Sequence, residues 1–227
     1  MLEWRVAAVV RAAAAGEASL SEVNVRGVLI TFEGVEGSGK STQMRRLARA
    51  LRRQGYPVEQ TREPDGTPFG AAVRRLFERD VPPLTQALLF LAARHQHVLA
   101  RIRPWLRARR VVLCDRYTDA SVAYQGYAGG VDPELIRELN VRATGGVLPD
   151  LTLLFDCDPA LGFRRIGRRR RDHFERQALA FHRRVRRGYR EIQRAEPKRV
   201  RLINAARSPE AVAAEVQAIV GDFLRGA

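Results

Sequence analysis

Residues Gly34-Val35-Glu36-Gly37-Ser38-Gly39-Lys40-Ser41 constrain this chain more than any other stretch. They follow Gly-x-x-x-x-Gly-Lys-Ser/Thr, the phosphate-binding loop. A nucleoside triphosphate carries several anionic oxygens that must be satisfied together. Glycines let successive backbone N–H groups turn inward, Lys40 brings a point charge, and the Ser41 hydroxyl can ligate Mg2+. Such a loop belongs between a strand and a helix, and this one has that context. Val28-Leu29-Ile30-Thr31-Phe32 reads as a short buried strand before it, and Met44, Leu47 and Leu51 carry helical spacing after it. That helix directs its N-terminal dipole at the phosphates. The triphosphate-binding set is therefore Gly34, Val35, Glu36, Gly37, Ser38, Gly39, Lys40, Ser41 and Thr42. A glycine turn without a ligand would not need eight positions in register between strand and helix.

Downstream the pattern alternates strand and helix, which argues for a parallel sheet covered on both faces. Further strands are expected at 57–61, 111–114, 151–155 and 199–203. Helices are expected to about Gln54, over 67–78 with Phe69, Val73 and Phe77 on one face, and over about 209–224. A long helical stretch over 84–110 contains Pro104, which predicts a kink or break. The fold class is α/β, a five-stranded parallel sheet flanked by helices on both faces. One domain over 28–227 is expected. Residues 1–27 stand apart as a leader or as sequence upstream of a later translation start. The apolar stretch after Arg5 is interrupted by Arg11, unlike a signal peptide.

The 227 residues carry a formal charge of +15, which raises the question of a nucleic-acid partner. Only two of the 40 basic residues, Lys40 and Lys198, are lysines. That skew towards arginine, with abundant alanine, reads as a compositional bias, and no aromatics interleave the basic runs for base stacking. Nucleic acid is not expected as a partner. No apolar run is long enough to span a bilayer, so no membrane partner is expected either. Cys114 and Cys157 each lie in an apolar run ending in Asp and read as buried strand positions, which fits a reducing, cytoplasmic location.

In sheets of this kind ligands sit at the carboxyl ends of the strands. Arg62-Glu63-Pro64-Asp65-Gly66-Thr67 follows the second strand as a tight turn in which Thr67 can cap the next helix. Asp115-Arg116-Tyr117 follows the third. An acid there, beside a phosphate loop, commonly holds Mg2+, and the adjacent Arg can grip a second phosphate with two hydrogen bonds. Phe90 and Arg94 lie four apart, on one helical face, where ring and guanidinium could stack on and hydrogen-bond a base. Taken alone, that spacing equally suits core plus a snorkelling surface residue. Arg164, Arg165, Arg168, Arg169, Arg170, Arg171 and Asp172 form the densest charge run. It is either a solvated helix face or a lid over about 164–175 that brings cations to a transferring phosphoryl group.

Together these motifs resemble the bacterial thymidylate kinase family of P-loop nucleoside monophosphate kinases. The matching residues are Phe32-Glu33-Gly34, Arg62-Glu63-Pro64 with Gly66-Thr67, Phe90 with Arg94, Asp115-Arg116-Tyr117, Ala123-Tyr124-Gln125-Gly126 and Pro149-Asp150-Leu151-Thr152. The series continues through Asp172, Phe174-Glu175, Phe181, Val185 and Tyr189. The resemblance implies transfer of the ATP γ-phosphoryl group to dTMP, with Mg2+ as cofactor, by a homodimer. It implies catalytic roles for Lys40, Arg116 and the lid arginines Arg168, Arg169, Arg170 and Arg171, and a metal held by Ser41 and Asp115. It also implies a dTMP site made of Glu36, Arg62, Pro64, Phe90, Arg94, Arg116, Ser121, Tyr124 and Gln125. Within it Phe90 would stack on thymine, Arg94 would bond its edge, and Tyr124 would discriminate against a 2′-hydroxyl.

Three positions depart from the family pattern. His173 stands where the lid usually has Arg. Asp65 replaces the first Gly of the turn and is expected to point to solvent. Ala120 takes the usual place of Ser, with Ser121 beside it. Two other readings compete: another P-loop kinase acting on a nucleoside or a different monophosphate, and a nucleotide-binding switch. The Arg-Glu-Pro-x-Gly-Thr turn weighs against the first, and the acceptor-site series against the second.

Overall fold

The computed structural model describes residues 27–77, 81–167 and 177–226. Its centre is β1 (Val28–Glu33), a strand buried at all six positions. Such a strand must be covered on both faces, and it is flanked in parallel by β3 (Val111–Asp115) and β4 (Leu151–Asp156). β2 (Val58–Arg62) and β5 (Val200–Asn204) complete the order β2-β3-β1-β4-β5. The expected five-stranded parallel sheet is present. Its second and fifth strands lie one residue later than the hydrophobic runs suggested. Cys114 is a buried β3 residue, and Cys157, also buried, follows β4.

Helix α1 (Lys40–Arg53) packs Met44, Leu47 and Leu51 inward. Thr67 caps α2 (Pro68–Leu76) as expected, its Oγ1 accepting from the Gly70 N–H at 3.1 Å. Phe69, assigned to the inner face of this helix, is instead exposed. The long helical stretch is α3 (Pro83–His97), a π-helical turn at Val98–Ile102, and α4 (Arg103–Arg107). Pro104 lacks the N–H that would bond the Ala100 carbonyl, and its ring crowds that carbonyl. The widened turn lies immediately before it.

α5 (Thr118–Ser121) runs into a second π-helical turn, Val122–Ala128. α6 (Pro133–Thr144) has no counterpart among the sequence expectations, though its signals are ordinary. Asp132 caps it, Pro133 opens it, Ile136, Asn140 and Thr144 face inward at four-residue spacing, and Gly145 ends it in a left-handed conformation. α7 (Pro159–Ile166), α8 (Leu179–Ala195) and α9 (Pro209–Gly226) complete the chain. Apart from Gly27, the expected leader lies outside the described residues, as do Arg168 to Arg171, Asp172 and His173. No helix among the described residues is long and apolar enough to cross a membrane.

Candidate active site

Sheet register assembles the site. Phe32 pairs with Asp115, and Arg62 pairs with Asp115 from the other side. The loop after β1, the Asp115-Arg116 pair at the end of β3 and the Arg62-Glu63 turn at the end of β2 therefore emerge side by side. Their common exit is the carboxyl edge, where open α/β sheets bind ligands.

The phosphate loop fits against α7. Gly37 has φ of +70°, and a Cβ there would lie 2.1 Å from the Gly162 carbonyl oxygen, so no side chain is admissible. Gly39, also left-handed, sits at the N-cap of α1 without a side-chain cap. That leaves helix N–H groups available to an anion. Lys40 is buried, and its Nζ donates to the carbonyls of Gly34 and Val35, both at 3.0 Å. Burial pushes its pKa down, as does the Arg116 charge, while Asp115, Glu36 and Glu33 oppose the fall. Ser41 Oγ donates to Asp115 Oδ2 at 2.5 Å. Serine hydroxyl and carboxylate are hard oxygen donors of the kind Mg2+ takes together with substrate phosphates. Among the described residues no larger cluster of metal-ligating side chains exists.

Glu36 is the hub of the second half of the site. Its Oε1 accepts from Arg116 Nη2 at 2.7 Å and from the Tyr124 hydroxyl at 2.6 Å. Burial pushes the Glu36 carboxyl up. The Arg116 charge, with His182, Lys40 and Tyr124, more than reverses this and holds it well below the usual carboxylate range. Arg116 lies 4.8 Å above the centre of the Tyr124 ring and donates weakly to the Tyr189 hydroxyl at 3.4 Å. Its backbone has φ of +68°, a conformation costly for a residue with a side chain. Glu36, Tyr124 and Tyr189 thus fix the position of this cation.

Glu33, at the end of β1, is fully buried and accepts from the Tyr117 N–H and the Tyr189 hydroxyl, both at 2.7 Å. Burial and nearby Asp119 push its carboxyl up to about 7 against those hydrogen bonds and the Arg116 charge. Asp156, the last residue of β4, is clamped by Arg186 through Nε and Nη2 at 2.6 and 2.8 Å, which ties α8 to the sheet.

The structure gives Arg94 more protein partners than its place beside Phe90 suggests. It is 2% exposed. Nε and Nη2 reach Glu63 Oε2 at 2.8 and 2.7 Å, and Nη2 also reaches the Tyr117 carbonyl at 2.9 Å. Nη1 reaches Ser121 Oγ at 3.0 Å and Asn140 Oδ1 at 2.5 Å. The guanidinium thus makes four hydrogen bonds within the protein, and Nη2 adds the ion pair to Glu63. Phe90 is half-buried and stacks on Phe77 with centroids 4.6 Å apart. Gln125 is buried beside Gln86. Pro64 is buried and follows a cis peptide bond, while Arg62 is exposed. Asp65 does not point to solvent. Arg62 at 2.9 Å and Arg74 at 3.4 Å neutralise it, and its side chain is only 15% exposed. The negative charge that departs from the family pattern is thereby cancelled locally.

Sequence reasoning missed the roles of Glu63 and Asn140, which hold Arg94, and of His97, whose Nδ1 lies 3.2 Å from Glu63 Oε1; it also missed His182, 3.2 Å from Glu36 Oε2. Only Glu63 had a local signal, as an acid directly after a strand.

The sequence model of the family described as "Thymidylate kinase" matches residues 32–216. The chain belongs to the thymidylate kinase family. A thymidylate kinase of Solidesulfovibrio magneticus is 47% identical over 209 residues, covering 87% of this chain and all of that relative. One of Deinococcus radiodurans is 44% identical over 201 residues, covering 87% and 98%. The crystal structure of thymidylate kinase from Ehrlichia chaffeensis superposes with a TM-score of 0.72 at 34% identity, covering 86% of this chain and 98% of that one. The thymidylate kinase family match spans the phosphate loop, the Asp115-Arg116 pair and α8.

Proposed function

We propose that this chain transfers the γ-phosphoryl group of ATP to the 5′-phosphate of dTMP, giving dTDP and ADP for dTTP synthesis. The observation that carries this reading is the juxtaposition of two phosphate-directed cations. Lys40 serves the loop after β1, and Arg116 projects from the end of the neighbouring β3, held by Glu36 and Tyr124. One suits the donor, the other the acceptor. A 5′-phosphate oxygen is already anionic, so the attack needs no general base, and positioning with charge stabilisation is the whole task.

In this reading Gly34 to Thr42 cradle the ATP phosphates, and Lys40 moves its donors from the loop carbonyls to them. Ser41 and Asp115 would hold Mg2+, which supplies charge neutralisation between the phosphates. Arg116 holds the acceptor phosphate, with Arg62 at the open rim. Phe90 and Pro64 wall the base, and Ser121, Tyr124 and Gln125 close around it. For Arg94 to read the thymine edge it must exchange a protein acceptor for it, and Ser121 Oγ, a neutral hydroxyl, is the one to yield. Arg168, Arg169, Arg170 and Arg171 are proposed to bring positive charge to the transferring group.

We place the protein in a reducing cytoplasm, a reading that the two buried thiols suit. A homodimer is supported by an apolar stripe. Leu84, Leu88 and Leu99 are exposed along one side of α3 and its π turn, and the neighbouring α2 and α6 expose Leu76, Leu135 and Val141. Exposed apolar side chains on α3 and on the two helices beside it suit an interaction face.

Turnover with ATP, Mg2+ and dTMP tests the reading against a nucleotide switch. The proposal expects ADP and dTDP in equal amounts, strictly dependent on dTMP. ADP formation indifferent to dTMP would overturn it.

A further inference from the structure

His182 lies on the first turn of α8, is fully buried, and belongs to none of the roles assigned above. Its ring is gripped edge-on by Phe163 from α7 and Phe181 beside it, at centroid distances of 4.7 and 5.5 Å. Neither ring nitrogen has a hydrogen-bond partner. Nδ1 nevertheless sits 3.2 Å from Glu36 Oε2, close enough for a charge contact but off the line of a hydrogen bond. Glu36 Oε2 is likewise without a hydrogen bond. A buried polar atom left in that condition costs roughly 1–3 kcal/mol. Two such atoms facing each other define a pair that a small rotation would join.

The aromatic walls explain why an apolar residue would pack there as well as histidine does, so packing alone does not account for the imidazole. What the ring adds is a nitrogen, Nδ1, 3.2 Å from one oxygen of Glu36, which a small rotation would bring into a hydrogen bond. The other oxygen of Glu36 holds both Arg116 and Tyr124. With Nδ1 turned onto Oε2, the carboxylate is held from two sides. Without a partner for Oε2, the group is freer to turn about its own axis and Oε1 is less firmly fixed under Arg116.

We propose that His182 is a positioning residue for the acceptor nucleotide. Its Nδ1–H holds Glu36 Oε2, which keeps Oε1 on Arg116 and Tyr124 and so keeps Arg116 directed at the acceptor phosphate. The inference rests on the reading that Glu36 and Arg116 belong to the acceptor site.

The test compares His182→Leu, His182→Asn and Glu36→Gln, with the His182→Leu/Glu36→Gln double variant, in steady-state kinetics on the full chain. Leucine keeps apolar volume and removes the donor. Asparagine keeps a donor near the Nδ1 position. His182→Leu should raise the KM for dTMP about tenfold, the scale of a lost hydrogen bond to a charged group, and leave the KM for ATP within about twofold. His182→Asn should recover most of the loss. In the Glu36→Gln background the leucine substitution should add almost nothing, because its route is already weakened. Should His182→Leu not fold, His182→Asn with and without Glu36→Gln carries the comparison. Its small dTMP effect must then disappear in the Glu36→Gln background. Equal losses for both nucleotides, or a leucine effect undiminished by Glu36→Gln, would overturn the proposal. So would a lowered melting temperature with both KM values unchanged. Arg116→Ala, measured alongside, separates the two levels. A raised dTMP KM there with a normal His182→Leu sinks this proposal alone, and a normal dTMP KM in Arg116→Ala sinks the acceptor-site reading beneath it.

Discussion

Replacing Arg94 with methionine should destabilise the fold severely, and the structure sets the size. Methionine follows the aliphatic stem of Arg94 but removes all five N–H donors. Glu63, whose side chain is 4% exposed, loses the cation 2.7 Å away and keeps only His97, with Nδ1 at 3.2 Å. Asn140 Oδ1 and the Tyr117 carbonyl lose a donor too. Removing one partner of a buried ion pair costs about 3–5 kcal/mol, because a desolvated charge is left behind. In a domain of this size 1 kcal/mol moves the melting temperature by about 2–4 °C. The melting temperature should therefore fall by roughly 10 °C. Thermal unfolding followed by circular dichroism, without nucleotide, measures it. Glu63→Gln removes the charge that Arg94→Met would strand, so the double variant should be less destabilised than the two single losses added together. A fall of less than about 2 °C, or strict additivity, would show that Arg94 is not held as its hydrogen bonds indicate and serves ligand recognition alone.

Three further outcomes are expected. Glu33 keeps its proton in the folded state up to about 7, against an ordinary 4.5, so stability should decline as pH rises between those values and stay lowered above them. Glu33→Gln should abolish that decline and melt higher than wild type at pH 8; a wild-type-minus-variant difference that is flat from pH 5 to 8 would refute it. Lys40→Ala should lower turnover by the equivalent of several kcal/mol in a folded protein, read by single-turnover kinetics, since it removes the cation on the donor phosphates. Replacing Arg168, Arg169, Arg170 and Arg171 together with alanine should cut turnover by about 10³ or more while the dTMP dissociation constant stays close to wild type; unchanged turnover would remove the run from the mechanism.

The fold and the site were legible in the sequence to different depths. The strands show as apolar runs because a sheet covered on both faces needs apolar residues at successive positions, as β1 has. Their ends were off by a residue where polar positions such as Arg62 and Asn204 continue the ladder. Motif residues next to a strand end were legible too, since register alone brings Gly34 and Asp115 together. Asp65 and Arg94 were not. Their environments depend on Arg74, Glu63, Tyr117, Ser121 and Asn140, which come from other elements and have no fixed spacing to them. His182 escaped for the same reason: a histidine in an arginine-rich helix carries no local sign that its ring meets a carboxylate of the phosphate loop. α6 could have been found from its Asp-Pro start and glycine end.

The measurement that bears most directly on the whole account is an acceptor panel with the purified full chain. dTMP, dUMP, dCMP, UMP and thymidine are each offered with ATP and Mg2+, and products are identified by mass. The account predicts dTDP as the dominant product and a kcat/KM for dTMP well above that for UMP. It also predicts no phosphorylation of thymidine, which has no phosphate for Arg116 to hold and would need a general base. A chain that phosphorylates thymidine, or that prefers another monophosphate over dTMP, would contradict it.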